Sequence, residues 1–341
     1  MKLGERLSID GTLTEENMAF LRQLGVSNLM AGVGAAAGQT DKLPVTSKLR
    51  QGDFWEIADL IELKRFVGNR GFGLFGISHT PFSSWDKIIR GQPGRDRQIE
   101  NWNKSLRNMG RAEIPILQYN WVIDAAAWLG NWRTTDKTLG RGGARYVSFD
   151  NEVAQKVPTT SEFGVITEDE LWKNLEYFLK ATIPVAEEAG VKMIVHPADP
   201  HVPSIAGVAR IIRSAEAYDR MFNIVKSDYS GMVFCMGCFS QMTDAVGEYK
   251  AIRHFAAEKK IGYVHFRTVR GEREKFDEVY PDEGKLDMLK CMKIFKQVGY
   301  QDIIIPDHTP HGAGDTEYGH SGRAFAIGYM KGLMQATGTL E

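Results

Sequence analysis

The feature of this 341-residue sequence that most constrains its fold is a regular alternation of short, apolar, β-rich runs with longer stretches of helical periodicity. Such an alternation is typical of parallel strands joined by crossover helices. The candidate strands number eight: residues 2–8, 28–33, 73–79, 114–120, 191–197, 232–237, 263–269 and 302–308. Eight units that fill the chain without a linker favour a closed (β/α)8 TIM barrel over an open doubly wound sheet. We therefore predict a single α/β domain over residues 1–341.

Two parts of the sequence are unusual for a (β/α)8 barrel: two long connections and the first strand. Segments 121–166 and 269–284 are longer than ordinary strand-to-helix connections, so we predict that they elaborate the top of the barrel, where such loops usually contact substrates. In the first strand, Gly4, Glu5 and Arg6 are not typical strand formers.

Charge and cysteine content limit the partners and the compartment. The chain has 42 Lys and Arg against 43 Asp and Glu, and this balance gives no field that would favour nucleic acid or an anionic membrane. It shows neither an amino-terminal signal peptide nor an apolar run of about 20 residues. Three unevenly spaced cysteines do not make a disulfide framework. We expect a cytoplasmic protein that acts on small molecules.

The histidines are concentrated where a barrel builds its active site, at the carboxyl ends of the strands and in the loops that follow them. Only His254 lies within a predicted helix. The other seven are at such positions: His79, His196, His201, His265, His308, His311 and His320. A single histidine at a strand end is more often a hydrogen-bonded structural residue than a ligand, so the prediction depends on how the residues combine.

The last four strands combine into a candidate metal site. His196 closes the fifth strand and Cys235 the sixth, while His265 lies in the seventh and Asp307 near the end of the eighth. Two nitrogens, a thiolate and a carboxylate would suit Zn(II), Fe(II) or Mn(II), and the sequence leaves that choice open. Cys235 and Cys238 also form a C-x-x-C pair, but the second pair of a zinc knuckle is absent, and we interpret Cys238 as a small loop residue.

Several motifs then resemble a known family. Residues 91–120 read GQPGRDRQIENWNKSLRNMGRAEIPILQYN. Shorter motifs follow in order: HPADP (196–200), FCMG (234–237), HFR (265–267), DEGKLDM (282–288), PDH (306–308) and YGHSGRAFAIGYMKGL (318–333). Together they make the chain similar, nearly end to end, to mannonate dehydratase, a sugar-acid enzyme family of the xylose-isomerase-like barrel superfamily.

The resemblance implies a reaction and a set of residues. The reaction is the removal of water from D-mannonate to give 2-keto-3-deoxy-D-gluconate, with Mn(II) as the ion, and the protein is expected to be a homodimer. The family's ligands correspond to the same four residues chosen from strand ends. Its catalytic histidine corresponds to His308 and its active-site tyrosine to Tyr318, as an acid and base pair whose individual roles stay open.

Substrate contacts are predicted beside these groups. Arg267, two residues beyond His265, is a candidate for the substrate carboxylate, with a structural salt bridge as the alternative. His79, Asn120 and Arg323 are candidates for sugar hydroxyls, and each could equally cap a strand or helix end.

Three departures from the family pattern concern substrate recognition. Where the family has FHExxH, residues 276–281 read FDEVYP and lack both histidines. Ala198 replaces an acidic residue of the usual HPDDPP, and Ser321 replaces a second tyrosine. Two alternatives therefore stay open: another lyase, isomerase or epimerase of the same superfamily, and a sugar-acid-binding homologue without catalysis.

Overall fold

The computed structural model describes residues 1–9, 11–33, 49, 52–78, 80–123, 133–159, 163–243 and 245–341. Eight parallel strands close into a barrel, each hydrogen-bonded to two neighbours. In chain order they are β1 (Lys2–Ser8), β2 (Asn28–Gly32), β3 (Gly73–Ser78), β4 (Ile116–Asn120), β7 (Lys192–His196), β10 (Ser230–Cys235), β11 (Ile261–Phe266) and β14 (Ile303–Pro306). These match the eight predicted strands, so the predicted (β/α)8 barrel is confirmed. The single-domain organisation stays a prediction.

Helices surround the barrel and cover its strands. They are α1 (Glu15–Gln23), α2 (Ile57–Gly68), α3 (Asp86–Arg90), α4 (Arg95–Arg111), α5 (Asn151–Ala154), α6 (Glu168–Ala189), α7 (Ala215–Phe222), α8 (Met236–Met242), α9 (Ala245–Ala257), α10 (Met288–Gln297) and α11 (His320–Thr337). The longest, α6, begins with a capping box, in which Thr167 and Glu170 each satisfy a backbone N–H of the other. It ends at Gly190, whose φ of 69° is a left-handed conformation that glycine adopts without strain. Among the described residues, none of the helices is long and apolar enough to cross a membrane.

The two long loop segments pair with each other. β5 (Thr135–Leu139) and β6 (Arg145–Asp150) come from the first segment, and β12 (Val269–Glu272) and β13 (Lys275–Glu278) come from the second. They form one antiparallel sheet in the order β12-β13-β6-β5, called the side sheet below. Phe149 and Phe276 are register partners in it and pack with ring centroids 5.5 Å apart. A further short hairpin, β8 (Ser204–Ile205) with β9 (Val208–Ala209), follows β7.

Candidate metal centre and active site

The barrel brings the four predicted metal ligands together at its carboxyl end. His196 and Cys235 are the last residues of β7 and β10, His265 is the penultimate residue of β11, and Asp307 directly follows β14. The register pairs Cys235 with His265 and His265 with Ile305, so the three strand ends lie at one level. These four residues are called the ligand set below.

Three donor–donor distances within the ligand set are those expected around one metal ion. His196 Nε2 lies 3.3 Å from His265 Nδ1, which lies 3.4 Å from Asp307 Oδ2. Cys235 Sγ lies 3.6 Å from the same carboxylate oxygen. A tetrahedral ion with bonds of about 2.1 Å spaces its ligand atoms by roughly 3.4 Å. These three pairs of donor atoms have the separation that a shared divalent ion requires. Cys235, His265 and Asp307 lie together as one group that could hold an ion, and His196 adjoins this group through His265.

Each histidine of the ligand set is oriented by its other ring nitrogen. His196 Nδ1 lies 2.8 Å from the carbonyl oxygen of Pro197 and donates to it, which leaves Nε2 to face the site. His265 Nε2 lies 3.2 Å from the hydroxyl of Tyr263, which in turn donates to Gln118. His265 therefore presents an unprotonated Nδ1 when a metal is bound. Such outer hydrogen bonds fix the tautomer that a metal needs.

The electrostatics of the ligand set favour a cation. Burial alone would raise the pKa of the Cys235 thiol, but a hydrogen bond from Cys238 and the charge of Arg267 hold it well below its usual range. Burial likewise opposes ionisation of Asp307, yet His265, His308 and Arg267 hold its pKa well below the ordinary value. Without a metal, this negative charge outweighs the effect of burial and raises the pKa of His265 to about 9. A buried thiolate and carboxylate side by side are suited to a divalent ion.

A buried ion network lies beside the ligand set. Its four members are Arg133, Asp199, Arg267 and Glu278, and they are called the ion network below. The Arg267 guanidinium donates to Asp199 Oδ2 at 3.0 Å and to Glu278, and its Nε lies 3.1 Å from Asp307 Oδ2. Arg133 bonds the same two network carboxylates, Asp199 at 2.7 Å and Glu278 at 3.0 Å. The side chain of Arg267 is 1% exposed, so this placement favours the structural salt bridge that was the alternative to carboxylate binding.

A glycine makes room for the central arginine. A Cβ atom at Gly237, in the FCMG motif, would lie 2.2 Å from Arg267 Nε. Arg267 Nη2 also approaches the sulfur atoms of Cys235 and Cys238, at 3.5 and 3.4 Å. Any side chain at position 237 would therefore displace the guanidinium that stabilises the Cys235 thiolate.

Three members of the ligand set line a cavity at the carboxyl end of the barrel. Its lining includes His196, His265, Asp307 and His308 together with Arg6, Gln118, Asn120, Val122, Pro197, Asp199 and Arg210. His308 is 27% exposed, and its Nδ1 lies 2.9 Å from Glu278 Oε1. Two arginines that were not among the predicted site residues, Arg6 and Arg210, thus join the predicted His308 at the cavity wall.

The other predicted residues that the structure describes lie in two places. Asn120 lines the cavity, and its buried Oδ1 has no hydrogen-bond partner among the described residues. Tyr318 and Arg323 lie on the β1 side: the Arg323 guanidinium stacks 4.6 Å from the Tyr318 ring and pairs with buried Glu5 at 3.0 Å. Neither is among the described residues that line the cavity. His79 lies outside the described residues.

Comparisons with known proteins agree with one another. The family model described as D-mannonate dehydratase (UxuA) matches residues 29–163 and 156–340. A mannonate dehydratase of Streptococcus suis (strain 05ZYH33) is 30% identical over 316 residues, with 84% of each chain covered. The crystal structure of mannonate dehydratase from Streptococcus suis serotype2 superimposes with a TM-score of 0.83 at 29% identity, covering 100% of this chain and 95% of that one.

A more distant structure shares the fold alone. The D-psicose 3-epimerase from Clostridium cellulolyticum H10, solved with D-tagatose, superimposes with a TM-score of 0.62 at 12% identity and covers 99% of both chains. The barrel is therefore common to several sugar enzymes, and the residues at its carboxyl end have to distinguish among them.

Proposed function

This chain belongs to the D-mannonate dehydratase family, and we propose that it is a metal-dependent hydro-lyase that converts D-mannonate to 2-keto-3-deoxy-D-gluconate and water. The observation that carries the proposal is the ligand set, in which three pairs of donor atoms lie 3.3 to 3.6 Å apart, beside a cavity that His308 lines. Abstraction of the C2 proton next to an ionised carboxylate builds up negative charge. A site for this reaction must hold positive charge close to the substrate.

We propose Mn(II) as the ion, as the family implies, with Fe(II) or Zn(II) also compatible with the donors. His196 Nε2, Cys235 Sγ, His265 Nδ1 and Asp307 Oδ2 would hold it. When bound, a divalent ion supplies a Lewis acid that stabilises negative charge on substrate oxygens. The protein's part is to keep the thiol ionised and both imidazoles in the metal-binding tautomer.

His308 and Tyr318 are proposed to move the two protons of the reaction. His308 lies at the cavity wall, where its ring can reach a bound sugar acid. The hydroxyl of Tyr318 is buried, and burial raises its pKa, so it stays protonated at neutral pH and is better suited to donate a proton than to accept one. On this basis His308, which lines the cavity, is proposed to remove the C2 proton. Tyr318 is not among the described residues that line the cavity, and its role as the acid for the departing 3-hydroxyl is proposed from the family.

The cavity wall supports a revised set of substrate contacts. We propose that Arg6 binds the substrate carboxylate, because it lines the cavity whereas Arg267 is held by the ion network. Asn120 is proposed to bind a sugar hydroxyl, since a ligand would satisfy its buried Oδ1. A contact from His79 stays a prediction, and Arg323 is proposed to act by holding Glu5.

A second candidate is another lyase, or an isomerase or epimerase, acting on a related sugar. It is favoured by the sequence of β13, which carries Asp277 where the family pattern has a histidine. Asp277 bonds Ser148 at 2.7 Å within the side sheet. The change therefore alters the side sheet and leaves the ligand set intact.

Two further expectations accompany the proposal. We propose a cytoplasmic location, because the Cys235 thiol must stay reduced to bind a metal, and all three cysteines are free and buried. A homodimer is proposed from the family alone.

A substrate panel tests the function. Metal-loaded protein is incubated with D-mannonate, other aldonic acids and a series of ketoses, and the products are identified by NMR. We expect 2-keto-3-deoxy-D-gluconate from D-mannonate and no conversion of ketoses. Conversion of a ketose, with D-mannonate untouched, would favour the second candidate, and tight binding without turnover would favour a binding protein.

A further inference from the structure

A carboxylate of the side sheet, that of Glu278, contacts the imidazole of His308. Glu278 is the last residue of β13, and its side chain is only 3% exposed. Its Oε1 and Oε2 lie 2.9 and 3.1 Å from His308 Nδ1. Both oxygens of one carboxylate thus approach a single ring nitrogen.

Glu278 is ionised, and it is held in place from the other side. Burial would raise the pKa of Glu278, but the charges of Arg133, His308 and Arg267 lower it to about 2. Arg133 Nε donates to Oε1 at 3.0 Å, and Arg267 donates to the same oxygen. A carboxylate fixed by two buried guanidinium groups can orient a third group accurately.

Two neighbours of His308 Nδ1 favour opposite tautomers. Glu278 accepts hydrogen bonds, which favours a proton on Nδ1, whereas Arg267 Nη1 lies 3.0 Å away and can only donate. If Nδ1 carried no proton, its lone pair would face the two negatively charged oxygens of Glu278 and be repelled by them. The carboxylate therefore favours the tautomer with the proton on Nδ1. The approach of Arg267 to Nδ1 follows because both N–H groups point at the same oxygen of Glu278.

We propose that Glu278 is a positioning residue for His308: it accepts a hydrogen bond from Nδ1 and so fixes the ring at the cavity wall. The other nitrogen, Nε2, lies 3.6 Å from Asp307 Oδ1 and is left as the one to meet the substrate. This inference rests on the proposed function insofar as His308 is the base. In that role, His308 Nε2 takes the C2 proton of the substrate as the C2–H electron pair enters the developing enediolate. The imidazolium so formed stays paired with the Glu278 carboxylate. A residue of the side sheet, Glu278, would thus orient the base that acts at the carboxyl end of the barrel.

The kinetic test uses the holoenzyme carrying Glu278→Gln, which keeps the shape of the side chain and removes its charge. We expect kcat to fall about 10- to 100-fold, with KM within about twofold and the metal content unchanged. The matched control is Glu272→Gln, on the same hairpin, where the side chain is 79% exposed and pairs with Lys285. Its kcat should stay within about twofold of the wild type.

A double-mutant cycle separates positioning from general support of the fold. If Glu278 acts through His308, then Glu278→Gln should lower the residual activity of a His308→Ala enzyme by less than about twofold. A further loss as large as in the wild type would overturn the proposal, and so would an unchanged kcat in the single variant. Should Glu278→Gln fail to fold, Glu278→Asp keeps the charge and withdraws the oxygens by about 1.5 Å, and the same cycle applies.

A third readout needs no turnover. In ¹⁵N-histidine-labelled, zinc-loaded protein, the nitrogen shifts of His308 should report a protonated Nδ1 and a bare Nε2. In Glu278→Gln, Arg267 is free to donate to Nδ1, and the signals should move toward the Nε2–H form. An Nε2–H tautomer in the wild type would overturn the proposal even if D-mannonate is the substrate. The expected tautomer in a protein that leaves D-mannonate unchanged would remove only the proposed function.

Discussion

The ligand set and the ion network lie side by side, but they are built by different parts of the fold. The ligand set comes from the ends of four adjacent barrel strands. The ion network takes Glu278 from the side sheet and Arg133 from the residues just before β5, while Asp199 and Arg267 come from loops that follow β7 and β11. The ligand set is an unbalanced cluster of negative charge, whereas the ion network pairs two cations with two anions. We therefore expect changes in the ligand set to alter metal content, and changes in the ion network to alter stability and the orientation of His308.

The largest expected effect is on the ligand set. Asp307→Asn keeps the size of the side chain but removes the charge that bridges Cys235 and His265, at 3.6 and 3.4 Å. We expect loss of bound metal and a fall in turnover on the order of 100-fold or more, measured by elemental analysis and a mannonate assay. The matched control is Asp302→Asn, one residue before β14 and exposed, which should change neither. Full metal occupancy in Asp307→Asn would show that this carboxylate is not a ligand.

A large stability effect is expected in the ion network. Arg267→Met leaves the Asp199 and Glu278 carboxylates buried with one cation fewer. Removing one partner from a buried ion pair typically costs about 3–5 kcal/mol, which urea unfolding can measure. Arg270→Met is the matched control, because that side chain is 52% exposed and its ion pair with Asp277, at 3.0 Å, lies at the surface. If the two variants lost equal unfolding free energy, each below about 1 kcal/mol, the ion network would not be the stabilising part of the site.

A smaller, pH-dependent effect on the free energy of unfolding is expected at His201, which lies near Asp199 of the ion network. His201 is fully buried, and burial lowers its pKa to about 4, against a partly compensating charge on Asp199. Between pH 6.5 and 4 the unfolded chain therefore binds a proton that the folded chain does not, and stability falls as the pH falls. The loss should be on the order of 1 kcal/mol per pH unit within that window.

His201→Asn should flatten this part of the stability curve, which is followed by urea unfolding at several pH values. His254→Asn is the control, because its side chain is 42% exposed on α9. If both variants keep the wild-type slope below pH 6.5, then another group is responsible for the acid sensitivity.

The smallest expected effect concerns the barrel scaffold, away from both parts of the site. Thr167→Ala removes the side chain that accepts from the N–H of Glu170 in the capping box of α6. A lost cap costs about 1 kcal/mol of unfolding free energy, while kcat and metal content should stay within about twofold of the wild type. A large loss of activity would mean that α6 is coupled to the site.

The two parts of the site also differ in how far the sequence predicts them. The ligand set followed from one rule, that parallel strands in a barrel end on the same face, and the register places Cys235 beside His265 as expected. Glu278 and Arg133 could not be paired in this way. Arg133 stands just before β5, and the two residues meet because β6 pairs with β5 on one side and with β13 on the other, the latter across more than 120 residues of sequence. Neither loop carries the strong periodicity that predicts a partner.

A local signal was present for part of what sequence reasoning missed. Glu5 and Arg6 made β1 the least typical strand, and the structure places Arg6 at the cavity and Glu5 under Arg323. Polar residues that break a strand pattern often mark a functional site. Tyr263 lies two residues before His265, on the same face of β11, so its contact with the ring could have been inferred from the alternation of side chains.

The most direct measurement is a metal titration of the chelated protein, with D-mannonate dehydration followed at each step. We predict that activity rises in proportion to bound Mn(II), reaches a plateau at one ion per chain and disappears again on chelation. A protein that binds one ion per chain and leaves D-mannonate unchanged at every step would contradict the proposed function. A protein that dehydrates D-mannonate equally well without a divalent ion would contradict the role of His196, Cys235, His265 and Asp307.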